Sequence, residues 1–146
     1  MNYGRLALAA VAATVADMAY GFAVYGNALA SQFAQHPGVY RPAADTSYMP
    51  FLMTGVFVAS LAAAYIYAKG YEGRSGMQEG LRFGAVLGLF AFGYAGIINY
   101  AVLNISSTLG TCMAAAAFVE WLIVGTVIGL VYKPAASASQ GRRVGV

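Results

Sequence analysis

Charge is what this sequence has least of. Only 9% of its 146 residues are Asp, Glu, Lys or Arg, where a soluble domain carries about 25%. A chain this small cannot hide so much apolar surface in a soluble fold. The missing solvent contact must therefore be made with lipid. There is one cysteine, Cys112, which excludes an internal disulfide and a thiol-based metal cluster. It falls in an apolar run and reads as a small hydrophobe. There is one histidine, His36, which excludes paired axial ligation of haem within the membrane. It reads as a solvated loop residue. No phosphate-binding glycine loop, HExxH helix or nucleophile elbow occurs. The run Lys69-Gly70-Tyr71-Glu72-Gly73-Arg74-Ser75-Gly76 is glycine-rich but has no preceding strand, so it reads as a flexible turn. Enzyme chemistry, a cofactor and a metal site are accordingly not expected. The net charge is +3, yet the basic residues flank apolar segments and form no patch with interleaved aromatics. The expected partner is the lipid bilayer, not nucleic acid.

What is abundant is hydrocarbon. Hydrophobic residues make up 60% of the chain and the mean hydropathy is +0.66. A helix needs about 20 mostly apolar residues to cross a bilayer. Four stretches meet that length, at about 6–29, 48–68, 79–104 and 109–132. The second opens with Asp45, Thr46 and Ser47 as capping candidates and has Pro50 in its first turn. Residues 30–47 form a loop, and Ile105–Thr108 allow only a tight turn, which makes the third and fourth helices antiparallel neighbours. The expected fold is all-α: one polytopic four-helix transmembrane bundle over 1–133, followed by a basic, disordered cytoplasmic tail at 134–146.

Orientation follows from the cations. Four crossings put the N-terminus, the 69–78 loop and the C-terminus on one side, with Arg5, Lys69, Arg74, Arg82, Lys133, Arg142 and Arg143; the other side has only Arg41. The positive-inside rule then places both termini in the cytoplasm. A competing expectation is a signal peptide cut after Ala28-Leu29-Ala30, which would leave three helices. Asp17 interrupts the apolar run and the run is long for such a segment, which favours retention.

Small residues allow helices to approach in lipid. The third helix carries Gly80, Gly84 and Gly88 and the fourth Gly125 and Gly129, each at spacing four. These predict a compact hairpin, with a second glycine seam left for another subunit. The first helix is rich in alanine (Ala9, Ala10, Ala12, Ala13, Ala16) and reads as internal. Arg5 and Asn27 bracket it much as Arg82 and Asn104 bracket the third helix, a thin sign of a parallel repeat.

Two acids stand out. Asp17 and Glu120 each lie about eleven residues from a helix start, on helices running in opposite directions, so both fall near the bilayer midplane. One such residue costs roughly 2.5–3.5 kcal/mol at a helix centre. No Lys, Arg or His lies at that depth to neutralise them. They must be protonated, bind a cation, or meet a cationic group on a partner. The structural alternative is a pair of neutral acids bonded to each other, to Tyr20, to Asn99 or to backbone carbonyls. The functional one is a proton or cation site. Glu120 points away from Gly125 and Gly129, by about 140° and 180°, so one face of the fourth helix is free to pack while the other turns the acid inward. Trp121 reads as a packing or lipid-facing residue.

The run Tyr67-Ala68-Lys69-Gly70-Tyr71-Glu72-Gly73, then Glu79-Gly80-Leu81-Arg82-Phe83-Gly84, Asn99-Tyr100, Val102-Leu103-Asn104 and Glu120-Trp121 resembles small, uncharacterised four-helix bacterial inner-membrane proteins. That resemblance spans the second to fourth helices and implies location and fold but no activity. Four short helices with an acid in the first also resemble small multidrug transporters, from which the strong charge bias and the sizeable outer loop depart. The expected role is an accessory or homo-oligomeric membrane subunit that packs through its glycine faces. The alternative is a proton- or cation-coupled transporter or channel using Asp17 and Glu120.

Overall fold

The computed structural model describes residues 1–42 and 44–133; the tail expected at 134–146 lies outside the described residues. Four helices are long and apolar enough to cross a membrane: α1 (Tyr3–Ala28), α3 (Met49–Lys69), α4 (Gly76–Val102) and α5 (Ser107–Val131). A short helix, α2 (Ala30–Ala34), follows α1. At about 1.5 Å per residue, each of the four spans the roughly 30 Å of hydrocarbon. The chain is an all-α, multi-pass membrane bundle.

Local chemistry sets the boundaries. Asn2 caps α1 by accepting the amide of Arg5 at 3.1 Å, so the helix starts three residues before the apolar run. Ser106 caps α5 by accepting the amide of Leu109 at 3.2 Å, which moves the α4–α5 turn from the expected 105–108 back to 103–106. The expected caps of α3 are not used: its N-cap is Tyr48, with no side-chain bond. Asp45 instead accepts from the amide and hydroxyl of Ser47 and pairs with Arg41 at 2.9 Å. These bonds, the Ser47 hydroxyl foremost, hold its carboxyl down at about 2. Two π-helical stretches were not expected: Val24–Ala28 closes α1 and Phe92–Ile98 interrupts α4. Such insertions shift the side-chain phase of all that follows.

Packing is organised around α5, which touches α1, α3 and α4. Toward α4 the contact is backbone on backbone. A Cβ at Gly80 would stand 2.5 Å from the carbonyl oxygen of Gly125, and one at Gly84 2.5 Å from that of Trp121. Gly88 meets Phe118, Gly129 meets Gly76 and Gly80, and Gly96 meets Ala114. The expected hairpin is thus present, and both glycine rows are used within it.

The dry core lies in the half of the bundle nearest the termini. Leu6, Ala9, Ala10 and Ala13 of α1, Ala63, Ala64 and Tyr67 of α3, and Val124, Ile128 and Tyr132 form one buried cluster. Tyr67 sits edge-on to Tyr71, Phe83 and Tyr132. In the opposite half α5 stays buried at Leu109, Ala114, Ala116 and Ala117, whereas α3 does not. From Met49 to Val58 only Val56 is even half-buried, and Phe51 is 81% exposed. That face meets lipid. The loops on this side are tied down by His36: its Nδ1–H donates to the carbonyl of Gln32, and its Nε2 accepts the amide of Ser106, both at 3.0 Å. His36 is therefore a structural link between the outer loop and the α4–α5 turn. Tyr40 adds a second link, its hydroxyl donating to the sulfur of Met113.

Candidate functional site

Asp17 and Glu120 sit where the cluster shared by α1, α3 and α5 runs out. On α1, Leu6, Ala10 and Ala13 are buried on the stripe that Asp17 continues one turn further along. On α5, Ile128 and Val124 are buried on the stripe that Glu120 continues in the same direction. On each helix a single turn separates a side chain with zero exposure from a half-buried acid. α3 covers these stripes where its Ala63, Ala64 and Tyr67 are buried. Nearer its N-terminus it is exposed, and the stripes become the walls of a notch between α1 and α5.

Tyr25 donates its hydroxyl to Glu120 Oε2 at 3.0 Å. It reaches the acid from the π-helical end of α1. Gly21, one turn earlier, supplies room: a Cβ there would lie 4.0 Å from Glu120 Oε1, so a larger side chain would meet the carboxyl. Tyr20 stands edge-on to Tyr25, with ring centroids 6.3 Å apart. No hydrogen bond joins Asp17 to Glu120, and Asp17 forms none with any described residue. Among the described residues no ion pair involves either acid; the salt bridges there are Arg41–Asp45 and Arg74–Glu72.

The other sequence-expected residues divide. Tyr20 belongs to the notch, but its hydroxyl donates to the carbonyl of Ala116 at 2.9 Å and not to an acid. It braces α1 on α5. Asn99 lies on α4, which packs on the glycine face of α5, and its side chain bonds to neither acid. Gly80, Gly84, Gly88, Gly125 and Gly129 hold the hairpin that backs the notch. Residues missed in the sequence are Tyr25 and Gly21. The signal for Gly21 is its phase, one turn from Asp17 on the acid's own side of α1; Tyr25 lies in the π-helical stretch, which spacing does not reveal.

A third carboxylate, Glu79, is 8% exposed. Its two oxygens accept the amides of Glu72 at 2.6 Å and Arg74 at 3.1 Å. That carboxylate is a clamp on the α3–α4 loop, and its bonding is internal. Among the described residues no group of three or more His, Cys, Asp and Glu gathers as for a metal ion. No family model, no curated protein and no solved structure matches this chain.

Proposed function

We propose that this multi-pass protein handles protons or a small cation at the Asp17–Glu120 notch, as a proton- or cation-coupled transporter or channel. The observation that carries the reading is the position of the acids. Both continue core-facing stripes, both lie just past the buried cluster shared by α1, α3 and α5, and neither has a cationic partner among the described residues. Structural glue would bond both acids, to each other, to Tyr20, to Asn99 or to backbone carbonyls; Glu120 is held by Tyr25, and Asp17 forms no hydrogen bond with a described residue. A group that exchanges protons or a cation needs one oriented carboxyl and one available carboxyl, and the pair supplies both. The charge bias supports an orientation with both termini in the cytoplasm, and the resemblance to small bacterial four-helix proteins supports an inner-membrane setting. The notch would then open from the external face.

A second reading, an accessory or homo-oligomeric subunit, is favoured by one observation. The loop-side half of α3 is exposed, and a Cβ added at Gly55 within it would meet nothing within 4 Å. The glycine rows expected to serve that role are occupied by the hairpin, so such a contact would have to use α3.

Proteoliposomes test the first reading. Flux driven by a pH gradient should be present with the wild type and abolished by Glu120→Gln. Flux that is absent, or unchanged in Glu120→Gln, defeats it.

A further inference from the structure

At the end of the bundle nearest the termini, a recess of about 420 Å³ opens between the start of α4 and the end of α5. Two cations from separate elements line it, Arg74 of the α3–α4 loop and Lys133 after α5, together with Ser75, Tyr71 and Tyr132. Met77 and Leu130 line the same recess, and both are at least half exposed toward the lipid zone. We infer that this recess binds the phosphate of an anionic lipid, with the headgroup on Arg74 and Lys133 and the start of an acyl chain along Met77 and Leu130.

Three features support the assignment. The lining is amphiphilic at the depth where headgroup meets hydrocarbon, which a free phosphate would not require. Basic pockets between transmembrane helices at this level suit anionic headgroups. The loop that presents Arg74 is also held in place: Glu79 fixes the amides of Glu72 and Arg74, and Gly73 takes a positive φ of 82° that allows the turn. Arg74 meets Glu72 through Nε at 2.9 Å, and neither of its terminal nitrogens forms a hydrogen bond with a described residue. The first amides of α4 add their positive end, since Ser75 leaves them without a side-chain cap. Glu72, Glu79 and the Gly129 carbonyl are the nearby negative groups; Glu72 is paired with Arg74, Glu79 is taken up by the amides of Glu72 and Arg74, and the carbonyl is turned onto Gly76.

The test uses the full chain in nanodiscs of neutral phosphatidylcholine, with and without phosphatidylglycerol, followed by lipid retention in native mass spectrometry. Wild type should retain phosphatidylglycerol over phosphatidylcholine. Arg74→Gln and Lys133→Gln should each lower retention about fivefold, the equivalent of about 1 kcal/mol per cation. Arg5→Gln, on the same side but outside the recess, should change nothing. Circular dichroism confirms that each variant is folded. Unchanged retention in the Arg74→Gln/Lys133→Gln double variant overturns the site, as does an equal loss in Arg5→Gln, which would indicate only diffuse surface charge. Inorganic phosphate at millimolar concentration separates the sources: displacement of the lipid by phosphate alone overturns lipid as the occupant, and failure to displace it supports lipid.

Discussion

Toward α4, helix α5 offers glycine and alanine and meets backbone; toward α1 it offers Ala116, Glu120, Val124 and Ile128 and meets alanine first, then acid. The first contact stays close along its length, with Phe118 and the Trp121–Leu122 backbone seated on Gly88 and Gly84. The second changes character within one turn, from a dry alanine seam at Ala9, Ala10 and Ala13 to a polar notch at Asp17, Tyr20 and Tyr25. In lipid no hydrophobic force drives helices together, so close backbone packing has to hold them. The α4 face meets that need. The outer part of the α1 face joins the helices through the Tyr20–Ala116 bond and carries the cost of two acids. A seam that forgoes packing in favour of carboxylates is where function should be sought.

The largest effect should come from breaking the dry face. Gly84→Val would press a branched side chain onto the Trp121 carbonyl and Leu122 backbone. Overpacking there should cost about 3 kcal/mol or more, read as a lower midpoint in detergent unfolding. A variant that unfolds like the wild type would mean that α4 and α5 are not so closely joined.

Tyr25→Phe sharpens the other face. It removes the donor to Glu120 and should cost about 0.6–1.7 kcal/mol, the range for polar contacts between membrane helices. The wild-type midpoint should recover in Tyr25→Phe/Glu120→Leu, where neither partner of the bond remains. If it does not, the loss reflects packing of the ring and not the hydrogen bond.

A smaller effect belongs to the links above the notch. His36→Ala frees the Ser106 amide, and its hydrogen exchange should quicken about fivefold, as the loss of one hydrogen bond of about 1 kcal/mol implies. Unaltered exchange would separate the outer loop from the α4–α5 turn.

The smallest effect is at Asp45. Its carboxyl is depressed from an ordinary 3.8 to about 2 by Ser47 and Arg41. A depressed acid contributes order that is present above the ordinary carboxyl value and lost as pH falls through about 2. Proteolysis of the 36–48 loop by an acid-active protease should therefore rise only at the bottom of that window. In Asp45→Asn the loop should be equally open at pH 2 and pH 5.

Much of this comparison was legible in the residues. The spacing of Gly80, Gly84 and Gly88 against Gly125 and Gly129 specified the hairpin, because a period of four fixes one helix face. The same arithmetic turned Glu120 away from that face. Apolar length alone located four spans to within a few residues. The remainder depended on tertiary contacts. The π-helical turn at Val24–Ala28 has no compositional signature, and it is the segment that brings Tyr25, instead of Tyr20, to Glu120. Glu79 bonds to two backbone amides earlier in the chain, which no pairing of side-chain types reveals. The end of the α1–α3–α5 cluster at Ala13 follows from where α3 is covered and where it is free, a property of the assembled bundle.

The most direct test of the carboxylate notch is chemical. A hydrophobic carbodiimide modifies protonated carboxyls that it can reach from the membrane. Applied to the full chain in native membranes and read by peptide mass spectrometry, it should label Asp17 and Glu120 and leave the amide-clamped Glu79 unmodified, with labelling reduced by raising the pH. Absence of label at both Asp17 and Glu120, or equal label at Glu79, would contradict an open, protonatable pair between α1 and α5.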